Sequence, residues 1–443
     1  MIEKILIANR GEIALRIVRA CRDMGIGSVV AHSTADRNTL AVQLADEAVC
    51  IGDRPTEKSY LLSDNIIMAA CLTRCDAIHP GIGFLSENAA FAQAVEEAGL
   101  VFIGPESKTI ALLGNKVAAR KVAIKAGLTV TPGGEEALVD LFDAKETAKR
   151  LGYPVILKAS AGGGGRGMRI VTTEEAMERA YALAKKEALL FFADDRVHLE
   201  RYIQNPRHVE VQLIADGQGG VVHLGERDCS VQKNHQKLFE ESPSPSINDE
   251  MREAMANASV NLFKELGYRG AGTVEFLVEG GQFYFMEVNA RLQVEHPVSE
   301  VVSSIDLVRT QIHIAQGGKL PFTQEDIHLN GYALECRING LEAGTISRLR
   351  LPSGPQVRVD TYLEPGSVIS PYYDSLLAKI IVWGRDRDEG LAIMERALGE
   401  VLIEGVATNL AEQLEILRCI QFRCGRVATD LYDQVIGARR THG

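Results

Sequence analysis

Two glutamates, Glu275 and Glu287, flank a glycine pair in GTVEFLVEGGQFYFMEVN, with Asn289 two residues beyond the second. Apolar and polar residues alternate on both sides of Gly280-Gly281, the pattern of a β-hairpin. With a loop of Gly280, Gly281 and Gln282, Glu275 faces Glu287 directly and Asn289 follows on the same side. The other face then carries Val274, Phe276, Val278, Tyr284, Met286 and Val288, a set apolar enough for a core. A two-residue loop would turn Glu287 into that core at a cost of several kcal/mol, so the three-residue loop is expected. Carboxylates with Cβ atoms about 5 Å apart repel unless a cation sits between them. Hard oxygen donors of this kind suit Mg²⁺ or Mn²⁺, which complete their shells with nucleotide phosphates. Leu277 and Phe285 are expected on the same face, offering an apolar surface to a flat ring.

RLQVEHP follows directly, and its Arg291, Gln293 and Glu295 alternate, so an extended chain points all three to one side. A guanidinium forks onto a planar oxyanion, an amide satisfies a remaining oxygen, and a carboxylate accepts a proton. These are the needs of a small anionic substrate. His296, before Pro297, reads as structural. Upstream, Gly162, Gly163, Gly164, Gly165, Arg166 and Gly167 follow a strand that ends at Lys158. Consecutive glycines let backbone N–H groups converge on an anion, and the lysine adds charge, a combination suited to polyphosphate. The lysine precedes the glycines and a strand follows them, so this is not a GxxxxGK[ST] loop. Further polar residues stand in LGNKVAAR (Lys116), NPRHVEVQ (His208), SVQKNHQK (Gln232, His235, Lys237) and ECRIN (Arg337). Cys71 and Cys75 sit four apart, but no second ligand pair is near and no CxxC occurs, so neither a zinc site nor a disulfide framework is expected.

Several elements must position these groups. KILIANRGEIALRIVRACRDMG followed by SVVAHS reads as strand, helix and strand, and the pattern continues through VFIGP as a doubly wound parallel sheet lacking GxGxxG. From about Leu151 a strand, the glycine loop, a strand, a helix from about Glu174 to Lys186 and the strand VHLERYI form a separate α+β lobe. Strands dominate from His208 to Asn289, and an α+β region runs from Pro321 onward. The 443 residues suit roughly three domains. The expected partition is 1–114, 115–325 with a lobe at about 131–203, and 326–443.

Acidic residues outnumber basic ones 59 to 48, a net charge of -11, which argues against a nucleic-acid surface. No apolar run reaches the roughly 18 residues of a membrane span and the opening residues make no signal peptide, so a cytoplasmic chain is expected.

The chain resembles the biotin carboxylases of the ATP-grasp superfamily. IANRGEIA, HPGIGFLSEN, LGNK, GGGGRGM, ERYIQNPRHVE, GERDCSVQ, HQK, EVNARLQVEHPV, ECRIN and PYYDS occur in that family's order and span essentially the whole length. The resemblance implies a Rossmann-like N-terminal domain, an ATP-grasp domain with a mobile lid, and a C-terminal biotin-carboxylase domain. It further implies that Lys116, Lys158 and the lid glycines hold nucleotide phosphates, and that Glu200 and the backbone of Ile203 read adenine. His208, Gln232 and His235 would lie around ribose and phosphates, and Glu275, Glu287 and Asn289 at Mg²⁺. Lys237, Arg291, Gln293 and the backbone of Val294 would surround bicarbonate, with Glu295 as base and Arg337 at the biotin ureido oxygen. Ile82 would lie at the substrate site, where the family commonly has tyrosine. Ala161, Asn115 and Asn234 also depart from the family, and GLEAGTISRLRLPSG after Asn339 is several residues shorter than its usual loop.

The implied reaction is ATP- and bicarbonate-dependent carboxylation of carrier-bound biotin, the first half-reaction of a carboxylase such as acetyl-CoA carboxylase in fatty acid synthesis. No biotinylation motif is present, so separate biotin carboxyl carrier and carboxyltransferase subunits are expected, with a homodimeric enzyme. Two other readings are a different ATP-grasp acyl-phosphate ligase and a nucleotide-binding regulator impaired by its shortened loop.

Overall fold

The structure is a computed structural model that describes residues 2–134, 137–160, 168–192 and 194–437. The glycine run Gly162, Gly163, Gly164, Gly165 and Gly167 lies outside the described residues. Near the N-terminus, β1 (Lys4–Ile7), β2 (Gly27–Ser33), β3 (Glu47–Gly52), β4 (Ala77–His79) and β5 (Val101–Phe102) form a parallel sheet in the order β3-β2-β1-β4-β5. The helix Gly11–Asp23 covers it because Ile13, Ile17, Val18 and Cys21 recur at helical spacing and are all buried. Gly25, at φ 68°, turns the chain after this helix.

A small lobe follows: β6 (Val155–Ala159), β7 (Met168–Val171) and β8 (Val197–Arg201) pair antiparallel in the order β7-β6-β8. The helices Leu141–Leu151 and Met177–Phe192 bury Ala144, Ala148, Met177, Tyr181 and Ala184 against Val155, Leu157, Val171 and Leu199. The second of these helices starts three residues later and ends six later than the sequence suggested, since Ala188 continues the buried spacing of Met177, Tyr181 and Ala184.

The largest sheet joins β9 (Arg207–Asp216), β10 (Val221–Lys233), β11 (Gln236–Ser242), β12 (Arg269–Glu279) and β13 (Gln282–Asn289) to strands much later in the chain. These are β14 (Tyr332–Asn339), β17 (Val357–Thr361) and β19 (Leu376–Gly384), and the antiparallel order is β13-β12-β9-β10-β11-β14-β19-β17. The shortened stretch after Asn339 forms two small ladders: β15 (Gly344–Thr345) pairs with β18 (Val368–Ile369), and β16 (Arg348–Arg350) with β20 (Leu402–Glu404). One face of the large sheet packs Val209, Val211, Val274, Phe276 and Val288 into the core. The other carries the charged residues described below. Among the described residues no helix is long and apolar enough to cross a membrane.

Candidate active site

The β12–β13 hairpin places Glu275 directly opposite Glu287, as the alternation predicted. The route differs. The turn is the two-residue Gly280-Gly281, both at positive φ (58° and 79°), with Glu279 paired to Gln282. The pairing then slips by one residue between Phe276↔Phe285 and Glu275↔Glu287, leaving Met286 as a β-bulge. The bulge restores the register that a two-residue turn alone would lose. It also corrects the expected faces: Phe285 pairs with Phe276 and enters the core, whereas Tyr284 pairs with half-buried Leu277 beside the ligand face.

β9 extends the acidic row. Glu210 lies across from Glu275 and Arg227 of β10 across from Glu210, so Arg227, Glu210, Glu275 and Glu287 run side by side over four strands. Glu210 escapes the sequence reading, although HVEVQ alternates in strand fashion and puts it on the face of His208. Such a row needs cations. Arg227 Nε lies 2.7 Å from Glu210 Oε1, and Lys237 Nζ reaches Glu210 at 2.6 Å, Glu275 at 3.1 Å and Glu295 at 2.5 Å. His208 Nε2 is 3.1 Å from Glu275 Oε2, and its Nδ1 is 2.8 Å from Gln232 Nε2. Burial opposes charge on Glu275, but Lys237 and His208 overcome it and hold the carboxyl well below its usual range. At the outer end, burial and the Glu275 charge raise the Glu287 carboxyl against the pull of Lys116. A divalent cation fits this site: the repulsion between Glu275 and Glu287 is what such an ion removes, and Asn289 Nδ2 already donates to Glu275 Oε1 at 2.8 Å.

The loop after β13 brings its polar residues to the same place. Arg291 donates to Gln293 Oε1 (2.9 Å), Asn289 Oδ1 (3.0 Å) and Glu87 Oε2 (2.7 Å), and Gln293 Nε2 donates to Glu275 Oε1 (3.2 Å). Leu292 points the other way and is fully buried. The chain is extended only as far as this; Glu295 sits at φ −83°, ψ 11°, capping the helix His296–Ser303. There its carboxylate is shared between Lys237 and Arg337, the latter at 2.9 Å. Burial opposes ionisation, yet these two cations keep Glu295 well below the ordinary carboxyl range. The carbonyl of Val294 accepts from Lys379 Nζ at 2.8 Å. Buried His296 uses Nδ1 on the Gln293 carbonyl, 2.8 Å away, in keeping with a structural role.

At the lobe, Lys158 Nζ lies 2.7 Å from Glu200 Oε2, and Arg120 is within 3.4 Å of the other oxygen. Glu200 is therefore held by cations. Lys116 opens the helix Lys116–Lys125, where Asn115 accepts from the Ala118 N–H at 3.0 Å, so the asparagine still caps the helix. Ile203 is buried just beyond β8. Half-buried Ile82 offers its carbonyl to Asn9 Nδ2 at 2.7 Å. His235 stands exposed in the β10–β11 turn at φ 64°, apart from the His208–Gln232 pair. Cys71 is exposed, whereas Cys75 is buried beside Thr73.

Three family models match in succession: biotin carboxylase N-terminal domain over residues 1–110, carbamoyl-phosphate synthase L chain ATP-binding domain over 115–323, and biotin carboxylase C-terminal domain over 339–434. The chain is 48% identical to a biotin carboxylase of Haemophilus influenzae, covering 99% of each, and 47% identical to biotin carboxylase 1 of Bacillus subtilis over 97% of this chain and 98% of that one. The Campylobacter jejuni biotin carboxylase solved as a β-γ-ATP complex superposes with TM-score 0.96 at 44% identity, covering 98% of this chain and 99% of that one. The biotin carboxylase domain dimer of Hydrogenobacter thermophilus 2-oxoglutarate carboxylase, solved with MgADP, ADP and bicarbonate, superposes with TM-score 0.95 at 44% identity over 98% of each chain. With this agreement over the full length, on a fold that gathers the carboxylate row and Glu295 at one face, the chain belongs to the biotin carboxylase family of ATP-dependent ligases.

Proposed function

We propose that this chain carboxylates biotin on a carrier protein, with Glu295 as general base, and that one observation carries the assignment: Glu295 lies between Lys237 and Arg337 beside the Glu275–Glu287 pair. Bicarbonate is held by Lys237, Arg291, Gln293 and the backbone of Val294. Glu295 takes its proton; the freed oxygen attacks the γ-phosphorus of ATP, the bond to the β-phosphate oxygen breaks, and ADP leaves carboxyphosphate behind. Carboxyphosphate yields CO₂ and phosphate. The phosphate removes the N1 proton of biotin, Arg337 stabilises charge on the ureido oxygen, and the nitrogen adds to CO₂.

Lys116 and Lys158 neutralise nucleotide phosphates, together with the lid glycines. Glu200 and the Ile203 backbone stand at the adenine, His208, Gln232 and His235 at the ribose and phosphates, and Leu277 under the base. Glu275, Glu287 and Asn289 would hold Mg²⁺, which offsets charge on the transferring phosphoryl group. The lobe at about 131–203 closes to exclude water, because carboxyphosphate hydrolyses readily. The enzyme acts as a homodimer with separate biotin carboxyl carrier and carboxyltransferase subunits, as the first half of a carboxylase such as acetyl-CoA carboxylase.

The test is bicarbonate-dependent ATP hydrolysis with and without free biotin. The wild type hydrolyses ATP with bicarbonate and is stimulated by biotin. Glu295→Gln binds Mg-ATP with unchanged affinity and loses the bicarbonate-dependent rate by about 10²-fold or more. Equal rates in the two proteins remove Glu295 from the base role. Amine-dependent hydrolysis without biotin would reveal a different acyl-phosphate ligase, and binding without turnover a regulator.

A further inference from the structure

We propose that Glu240 is a positioning residue that anchors the Arg337 guanidinium while Glu295 gains and loses its proton. This rests on the reading of Glu295 and Arg337 given above. A single amino group, Arg337 Nη2, serves two carboxylates, with Glu240 Oε1 at 2.6 Å and Glu295 Oε2 at 2.9 Å. The two are held differently. Glu295 lies in the turn that opens a helix, whereas Glu240 is fully buried within β11, its place set by the ladder Phe239↔Cys336, Glu240↔Glu335 and Glu241↔Leu334. When Glu295 accepts a proton from bicarbonate, its Coulombic hold on the guanidinium disappears. Glu240 is not a proton acceptor from substrate and keeps its hold, so Arg337 faces biotin in the same place before and after that transfer. Arg337 Nε is buried without a hydrogen-bond partner, a donor left for a ligand.

Glu335 completes the device. It lies directly across from Glu240 and, like Glu240, is fully buried with neither side-chain oxygen hydrogen-bonded; Glu240 differs in its ion-pair contact with Arg337. Burial raises both carboxyls, Glu240 to about 7 against the pull of Arg337 and Glu335 well above the ordinary range against that of Lys379, and of the two it is Glu240 that Arg337 touches, at 2.6 Å. A third carboxylate beside Arg337 would over-neutralise the cation that biotin needs.

The experiment compares Glu240→Gln, Glu240→Asp and Glu335→Gln with the wild type. It measures biotin-dependent and biotin-independent hydrolysis of ATP with bicarbonate, melting temperature, and the crystal structure of Glu240→Gln. The ratio of biotin-dependent to biotin-independent rate is expected to fall about 10-fold in Glu240→Gln, chiefly in kcat, and to recover partly in Glu240→Asp, which keeps the charge. Glu335→Gln, whose amide mimics an uncharged acid, stays within about 2-fold of wild type. The proposal is overturned if the ratio in Glu240→Gln is unchanged, or if Glu335→Gln is equally impaired. Should Glu240→Gln fail to fold, an unchanged ratio in Glu240→Asp together with an impaired Glu335→Gln overturns it. A wild type without any biotin stimulation refutes the functional reading instead; the anchor is then judged by the crystal structure, where a displaced Arg337 supports it and an unmoved one overturns it.

Discussion

His79, at the end of β4, shows how one buried ring sets a pH limit. The Gly81 N–H donates to its Nδ1 at 3.1 Å, so the ring proton sits on Nε2, which is buried without a partner. Burial, with Arg16 adding repulsion, depresses its pKa to about 3. Above pH 6.5 the ring is neutral folded or unfolded and the group has no effect on stability. Below that the unfolded chain takes up a proton that the folded chain refuses, so stability falls as pH drops towards 3. Between pH 7 and 5 this amounts to about 2 kcal/mol. His79→Asn keeps an acceptor for Gly81 and lacks the titration. Its melting temperature should lie below wild type at pH 7, with the gap narrowing at pH 5; a constant gap would refute the argument. At this scale the sequence was most legible where side chains alternate along one strand, as with Glu275, Glu287 and Asn289. Glu240 and Glu335 stayed hidden because their roles arise from a cross-strand pairing between segments far apart in the chain.

The hairpin is the informative element. Its pattern gave the correct facing of the two glutamates through an incorrect turn, because alternation reveals which residues share a face and not where an extra residue is absorbed. Met286 is that residue. Its deletion makes Phe276↔Phe285 and Glu275↔Glu287 consecutive pairs, so the strand should run on in regular register with the two glutamates still face to face and Mg²⁺-dependent nucleotide binding kept. Met286→Ala keeps the count of residues and should bind Mg-ATP within about 3-fold of wild type. Calorimetric titration of both variants checks this, and lost binding by the deletion variant would rule out Met286 as the residue that the bulge absorbs.

At the scale of the whole molecule, β11 pairs with β14 across the segment that separates the nucleotide-binding strands from the C-terminal ones, so one sheet serves both regions. No local pattern announces such a pairing; it follows from contacts between distant segments. Lys379 reinforces it. Fully buried in β19, it lies 3.1 Å from Glu12 in the N-terminal helix and 3.8 Å from Asp360, and donates to the carbonyl of Val294, next to Glu295. Lys379→Met should leave Glu12 buried and unpaired at a cost of about 3–5 kcal/mol, a fall of roughly 3–5 °C in melting temperature. Adding Glu12→Gln should recover part of the loss, since Asp360 retains Arg358 at 2.8 Å. Additive losses in the double variant would show that the two residues are not coupled.

The threefold grip of Lys237 on Glu210, Glu275 and Glu295 makes one ammonium group the common partner of three carboxylates. On the reading proposed above, the carboxylate that takes the proton is tied to the same ammonium group that an incoming anion recruits. On that reading an anion that draws the ammonium group towards itself also frees the carboxylate next to it, so binding and proton removal share one contact.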